Sequence, residues 1–235
     1  MSTAPKRPSR TSKAPTGQRV GVRELSAQAT RASILNAAIK VFAKSGFAGG
    51  RVEQISKTAK SFDRMIYYYF GSKEALFIAA LEEIYRRFCE AEAKVDFNLG
   101  HPVDSLKAVV QFTWTYYQKH PEFITLLNSE NLHRGRHISK SMRAREYSGA
   151  AIAVLGAILK RGVEKGVFRD DIQARDVYLM IASMGYFYLS NRFTLSAFLG
   201  ENMEAAPALS HWEDFITDAV LRVVSPGATA PSGLM

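Results

Sequence analysis

Apolar side chains recur every three to four residues through most of this chain, and this helical period is the feature that most limits its possible folds. An early stripe contains Ile34, Ala38 and Phe42, and a late one extends over residues 209–223. Glycine and proline residues such as Gly46 separate the periodic segments. No segment shows a convincing two-residue alternation of the kind typical of a half-buried strand. The sequence therefore predicts an all-α protein.

Positive charge is concentrated in the first third of the chain. Residues 1–73 contain 14 Lys and Arg against three acids, whereas residues 74–235 contain 17 against 19. A basic segment joined to a near-neutral one is typical of a protein that binds a polyanion. The alternative is a basic tail that only aids solubility. Residues 1–24, rich in Pro, Ser, Thr, Lys and Arg, are predicted to be a disordered basic arm that either contacts DNA or is passive.

Two short helical segments joined by a tight turn stand near the end of the basic region. In the second, residues 63–70, Ile66 and Phe70 share one side at 100° per residue, whereas Arg64 and Tyr68 project to the opposite side. Arginine can bind guanine in a fork, and tyrosine hydroxyls can reach phosphates. This face favours a helix that enters the major groove of DNA. For the tyrosines, packing inside the protein is the alternative.

The junction after this helix adds a second indication of DNA binding. Ser72 is a favourable N-cap, but Lys73 at the next position opposes the helix dipole. A DNA phosphate at this N-terminus would remove the conflict, because the free N–H groups and the ammonium would meet one anion. Lys73 is therefore predicted to contact the DNA backbone.

Two motifs resemble the DNA-binding domain of the TetR family of regulators. They are Thr30-Arg…Ile34-Leu…Ala37-Ala…Phe42…Gly46-Phe47 and Ile55-Ser-Lys-Thr-Ala…Ile66-Tyr-Tyr-Tyr-Phe-Gly-Ser-Lys-Glu-Ala-Leu76, and the similarity covers about residues 27–80. The resemblance implies a homodimer with an all-helical C-terminal ligand domain, and repression of transcription that ligand binding releases. It implies DNA-binding roles for Thr30, Val52, Arg64, Met65, Tyr67, Tyr68 and Lys73, to which we add the neighbouring charged residues Arg51 and Asp63.

The chain departs from the family pattern in and around the turn. Lys60 stands where the family usually has Gly, and Phe62 stands where it usually has a capping Ser or Thr. Because a non-Gly residue with positive φ is uncommon, the turn is either strained or altered, and Ser61 or Asp63 is an alternative cap. Asp63 would repel phosphate unless it accepts a hydrogen bond from a cytosine amine. These departures put the operator sequence in doubt.

The resulting domain organisation has two folded parts. We expect a helix-turn-helix DNA-binding domain over residues 25–75, a helical ligand-binding and dimerisation domain over residues 76–225, and a loose tail over residues 226–235.

The larger domain combines large apolar side chains with a few polar ones, as ligand pockets do. An ordinary helix bundle has a similar composition, so both interpretations stay open. Candidate ligand-binding residues are Trp114, Tyr117, Asn128, Glu130, Asn131, Tyr178, Met184, Tyr188 and Arg192. The expected effector is a small apolar or aromatic molecule.

The last two helices are predicted to pair with their copies as a four-helix dimer interface. The candidate interface residues are Tyr186, Phe187, Trp212, Phe215, Ile216, Ala219, Val220 and Val223. Such a dimer would present two recognition helices to half-sites of a pseudo-palindromic DNA operator.

Other classes of protein fit the sequence less well. Cys89 is the single cysteine, so neither an intrachain disulfide nor a Cys-based zinc site is possible. We predict no metal, no cofactor and no catalytic constellation, hence no enzyme. We also predict no membrane span, and a cytoplasmic protein. The alternatives are an architectural protein that binds DNA of any sequence and an all-helical enzyme with a basic arm.

Overall fold

The computed structural model describes residues 16–227, with the side chains of residues 24–143, 146, 147 and 149–227. These residues form α-helices and no strands. The helices are α1 Thr16–Gly49, α2 Val52–Ala59, α3 Asp63–Phe70, α4 Lys73–Glu92, α5 Pro102–Lys119, α6 Pro121–Leu132, α7 Ala144–Glu164, α8 Ala174–Leu199 and α9 Ala206–Val224, with a 3-10 turn at Ile138–Lys140 between α6 and α7. The predicted fold class is confirmed.

The first three helices and the start of α4 enclose a small core. Ile34 of α1, Ile55 of α2 and Ile66 of α3 are fully buried. The ring of Phe42 meets that of Phe77 edge to face, with 5.0 Å between their centroids. Since each short helix buries only one or two large side chains, α2 and α3 hold their positions through this shared core.

Helix α6 connects this core to the rest of the molecule. It packs along α1, and the Phe47 N–H donates to Ser129 Oγ of α6 at 3.3 Å. Phe47 can approach because Gly46 adopts φ 66°, a left-handed conformation that ends the regular part of α1. The remaining helices form a bundle around Trp114, Leu126 and Leu155, all fully buried.

Two helix starts differ from the sequence-based expectation. Helix α1 begins at Thr16, so residues 16–24 of the predicted disordered arm are helical. Extending an existing helix adds a hydrogen bond per residue without a new nucleus, and no proline follows Pro15 in this segment. Residues 1–15 of the arm and 228–235 of the predicted tail lie outside the described residues.

The apolar periodicity of the sequence predicts a helix from about Ser139, but α7 begins at Ala144. The preceding chain is held in a different conformation by the buried Glu130 carboxylate, which accepts from the backbone N–H groups of His137 at 2.7 Å and Ile138 at 2.9 Å. Within the described part of the chain, every helix is too short or too polar to cross a membrane.

Candidate functional site

The turn between α2 and α3 fixes the direction of the third helix. Lys60 adopts φ 53°, ψ 44°, so a lysine occupies the left-handed position that favours glycine. The Ser61 N–H donates to the Ser56 carbonyl at 2.9 Å, and Phe62 then extends the chain into α3. The turn therefore keeps the left-handed geometry, and the Cβ of Lys60 makes that conformation strained.

Helix α3 presents a polar and aromatic face to solvent. Ile66 faces the core, with Met65 and Tyr69 partly buried beside it. Tyr67 is 51% exposed and Tyr68 78% exposed, and Arg64 is exposed as well. We call Arg64, Tyr67 and Tyr68 the reading face. An exposed surface with two tyrosines and an arginine offers hydrogen-bond donors and apolar contact area together, as a surface that enters a DNA groove requires.

Asp63 is partly turned away from this face. Its carboxylate accepts a hydrogen bond from the Ser56 hydroxyl of α2, and it is half-buried. The sequence suggested Ser61 or Asp63 as the cap of α3, but the N-cap position is Phe62 and no side chain caps the helix there. Asp63 thus joins α2 to α3 through a hydrogen bond to the Ser56 hydroxyl.

The start of α4 has the expected cap and a lysine beside it. Ser72 Oγ accepts from the Ala75 N–H at 3.0 Å. The Lys73 ammonium lies 4.9 Å from the centre of the Phe47 ring and 3.4 Å from the Ala48 carbonyl oxygen. Lys73 is half-buried between α4 and the end of α1, so its charge lies at the rim of the DNA-binding domain rather than extending freely into solvent.

The other three predicted DNA-contact residues have different surroundings. Arg51 is exposed at the N-cap position of α2. Thr30 is half-buried, and its hydroxyl donates to the Ser26 carbonyl at 2.9 Å. Val52 is buried in the core of the domain, so its side chain packs inside the protein. The prediction that the Val52 side chain meets DNA therefore needs correction: its methyl groups serve the apolar side of α2.

Comparison with known proteins agrees with this arrangement. A family model described as "Bacterial regulatory proteins, tetR family" matches residues 34–80. A second, described as "Tetracyclin repressor-like, C-terminal domain", matches residues 102–220. The chain belongs to the TetR family. It is accordingly a DNA-binding transcriptional regulator of the repressor type and not an enzyme.

Individual relatives support the TetR assignment. The chain is 54% identical over 205 residues to the HTH-type transcriptional repressor NicS of Pseudomonas putida, covering 87% of this chain and 97% of NicS. It is 29% identical over 160 residues to the repressor SCO4008 of Streptomyces coelicolor, covering 67% and 77% of the two chains. A TetR regulator from Haloarcula marismortui shares the fold, with a TM-score of 0.64 at 18% identity, covering 83% of this chain and 98% of that one.

The predicted ligand-binding residues of this TetR protein do not surround one cavity. Tyr117 and Arg192 line an open cleft of about 300 Å³ between α5, α6, α8 and α9, and Arg192 pairs there with Glu204 at 2.9 Å. Tyr178 borders a separate, closed cavity. Trp114 is buried, and its Nε1 has no hydrogen-bond partner within the described residues.

The remaining candidates are engaged in bonds within the protein. Asn128 accepts from Tyr186 and, at 3.0 Å, from Ser190, while Asn131 donates to Tyr186 at 3.5 Å. The Tyr188 hydroxyl donates to the Met203 carbonyl, and the Met184 carbonyl accepts from Trp212 Nε1.

Glu130 has a structural role instead of the predicted ligand-binding one. It is buried together with His137, whose Nδ1 lies 2.7 Å from its Oε2, and it also accepts the two backbone N–H groups described above. The correction has a simple cause: a buried carboxylate that already accepts from three internal donors has little hydrogen-bonding capacity left for a ligand.

The closed cavity contains an acid that the sequence analysis missed. Glu92 is only 5% exposed, and no described residue forms a hydrogen bond or ion pair with its carboxyl group. It lies with Thr113 and Tyr178 among Phe88, Val109, Leu155, Ile181 and Ala182. Burial raises the pKa of the Glu92 carboxyl. The sequence signal was present, since Glu92 continues the apolar stripe of α4 four residues after the buried Phe88.

The predicted dimer residues divide into an exposed and a buried group. Phe187, Phe215 and Val223 are exposed on α8 and α9, and Tyr186, Trp212 and Ala219 are half-buried. Ile216 and Val220 are fully buried inside the chain's own bundle, where α9 packs against α5. The prediction that these two residues lie in the dimer interface is therefore corrected, because this side of α9 already packs against α5 of the same chain.

Proposed function

We propose that this TetR-family regulator binds a pseudo-palindromic operator as a homodimer and is released from it by a small effector. The observation that carries the proposal is the exposed reading face of α3, held outward by the buried Ile66 on its opposite side. We expect the protein to bind this operator in the bacterial cytoplasm. Each protomer contributes one α3, so two half-sites about one DNA turn apart, or somewhat more, would be read together.

The proposed dimer would cover apolar surface that is costly to leave in water. Phe187 is 57% exposed on α8, and Phe215 and Val223 are exposed on α9. Trp212 and Phe215 stack with their ring centres 5.1 Å apart, which gives α9 a wide aromatic side. An isologous contact between two such surfaces buries the same residues on both protomers, as a two-fold dimer requires.

For the effector site we favour the closed cavity around Glu92 over the open cleft at Arg192. In this structure the cavity has room for about one water molecule. A larger molecule would have to displace the surrounding helices, one of which is α4. Since α4 begins at Lys73, shortly after the end of α3 at Phe70, such a displacement would change how the two α3 helices are spaced. The walls call for an apolar or aromatic molecule with a hydrogen-bond donor for Glu92.

A second connection would carry the same signal through α6. On one side of this helix, Asn128 bonds to Tyr186 and Ser190 of α8. The next residue of α6, Ser129, accepts a hydrogen bond from the backbone N–H of Phe47. The centre of the Phe47 ring lies 4.4 Å from that of the His137 ring, and the Lys73 ammonium lies beside the same Phe47 ring. A shift of α8 would therefore reach the DNA-binding domain through direct contacts as well as through α4.

Selection of bound fragments from random duplex DNA tests the operator proposal. The full chain should enrich an inverted repeat, and the mass of the complex should correspond to two protomers on each repeat. Arg64→Ala should still enrich a repeat, but with a reduced preference for its guanines. Recovery of fragments with no common sequence would contradict the proposal.

A thermal-shift screen of small apolar and aromatic compounds, followed by operator binding, tests the effector site. A compound that stabilises the protein should lower its operator affinity, and Glu92→Gln should weaken that compound's binding more than Arg192→Gln does. Loss of response in Arg192→Gln alone would assign the effector to the open cleft. If no stabilising compound changes the operator affinity, the proposed release by an effector is contradicted.

A further inference from the structure

Phe62 is an unusual residue for the position it occupies, just before the recognition helix. Its ring is 69% exposed, and it is the N-cap residue of α3 although it supplies no capping hydrogen bond. A Ser, Thr, Asp or Asn in this place would satisfy a free N–H of the helix and remove an apolar ring from water. Folding alone therefore gives no reason for a phenylalanine here.

The ring of Phe62 lies near a charged side chain of the reading face. The guanidinium carbon of Arg64 lies 5.5 Å from the centre of the Phe62 ring. This is within the range of a cation–π contact, which holds an arginine by a planar surface and leaves its N–H groups free to donate. A bidentate contact to guanine O6 and N7 needs those N–H groups in a fixed orientation.

From this geometry we infer that Phe62 is a specificity-determining residue, which positions the Arg64 guanidinium for a guanine of the operator. DNA then covers the exposed ring when α3 enters the groove. The apolar area of the ring is therefore in contact with water only in the free protein. The contact strengthens as DNA excludes water around it, because cation–π attraction increases when the cation is desolvated. This inference rests on the proposed function, since it requires α3 to read base edges.

The test compares full-length variants on a selected operator and on the same operator with its guanines replaced, at one salt concentration. Phe62→Ser removes the ring and supplies a capping hydroxyl, and Phe62→Trp keeps an aromatic surface. We expect Phe62→Ser to lower discrimination between the two duplexes roughly fivefold to thirtyfold, with a Tm equal to or above that of the wild type. Phe62→Trp should retain most of the discrimination. Met142→Ser, which removes an exposed apolar side chain outside the helix-turn-helix, should change neither quantity.

A double-mutant comparison separates positioning from a direct contact. If Phe62 acts through Arg64, adding Phe62→Ser to Arg64→Ala should produce no further loss of discrimination. The inference is overturned if Phe62→Ser discriminates like the wild type, if Phe62→Trp loses as much as Phe62→Ser, or if the two substitutions lose discrimination independently. Failure of the wild type itself to discriminate would instead contradict the proposed function.

Discussion

At the scale of single residues, Tyr68 and Lys73 divide the tasks of DNA binding. Tyr68 is 78% exposed on α3, with the ring of Tyr69 against it at 5.0 Å, whereas Lys73 lies beside the end of α1. Contacts to base edges carry sequence information, and contacts to phosphate carry affinity and salt dependence.

We therefore expect Tyr68→Ala to abolish selectivity for the operator and Lys73→Ala to weaken binding to all duplexes by a similar factor. Binding isotherms on operator and scrambled DNA, each measured over a range of salt concentrations, distinguish the two effects. Lys73→Ala should also reduce the slope of log affinity against log salt by about one. The opposite assignment of these losses would show that the roles of the two residues are exchanged.

Glu92 provides a residue-scale prediction that depends on pH. Burial raises the pKa of its carboxyl, so the folded state favours the neutral form. The stability that this provides is complete below the unfolded pKa of about 4.3 and is lost as pH rises through the higher folded value. Glu92→Gln removes that loss, so its free energy of unfolding at pH 7 should exceed that of the wild type.

Urea unfolding at a series of pH values from about 4 to about 8 measures this difference in the free energy of unfolding. The series begins near the ordinary carboxyl pKa of about 4.3. The exposed Glu90 on the same helix provides the control, because Glu90→Gln should follow the wild type across the series within about 0.5 kcal/mol. A wild-type curve parallel to that of Glu92→Gln would mean that the pKa of Glu92 is not raised in the folded state.

The sequence predicts single residues well where side-chain type and helix face agree. The outward position of Arg64, Tyr67 and Tyr68 follows from the 100° rotation per residue and is found in the structure, while their contact with DNA stays a prediction. Glu130 illustrates the limit. Its three donors belong to residues seven and eight positions later in an irregular segment, and helical periodicity carries no information about such a loop.

At the scale of elements, the turn after α7 depends on a glycine that no side chain can replace. A Cβ at Gly162 would lie 1.8 Å from the ring of the buried Phe168, which folds back over the helix end. Gly156 in the same helix differs, because its Cβ would meet only Ala174 at an ordinary 3.8 Å.

Gly162→Ala should therefore destabilise the protein by about 1–3 kcal/mol, through displacement of Phe168 from the core. Gly156→Ala should stabilise it by about 0.5–1 kcal/mol, since alanine loses less backbone freedom on folding. Calorimetric Tm values of both variants check the pair. A Gly162→Ala variant as stable as Gly156→Ala would show that Phe168 does not pack against the end of α7.

Helix bounds were predictable where proline and glycine mark them. The sequence pattern predicts a helix over residues 174–199. Helix α8 has these bounds, Ala174–Leu199, and Gly200 follows it in a left-handed conformation. The partner of each helix was less predictable. The stripe of α9 shows that the helix has an apolar side, but the same stripe fits a partner in the same chain or in another chain. The burial of Ile216 and Val220 in the chain's own core shows that the partner of this side of α9 lies in the same chain.

At the scale of the whole molecule, binding to an inverted repeat requires two copies of the chain. Phe187→Asp places a charge on the exposed apolar side of α8, where it should not disturb the monomer's core. Buried without a partner in a dimer interface, that charge should prevent association. Sedimentation at micromolar concentration should give a dimer for the wild type and a folded monomer for the variant. A wild-type monomer under these conditions would contradict the proposed assembly.

The central claim is that the outward face of α3 reads DNA sequence. It is tested most directly by the ratio of affinities for the selected operator and a scrambled duplex of the same length at one salt concentration. A sequence-reading regulator should show a ratio of about 10³ or more, whereas a protein that binds only the phosphate backbone should show a ratio near one. We expect the large ratio for the wild type and its collapse in Tyr68→Ala; equal wild-type affinities for the two duplexes would show that α3 does not read sequence.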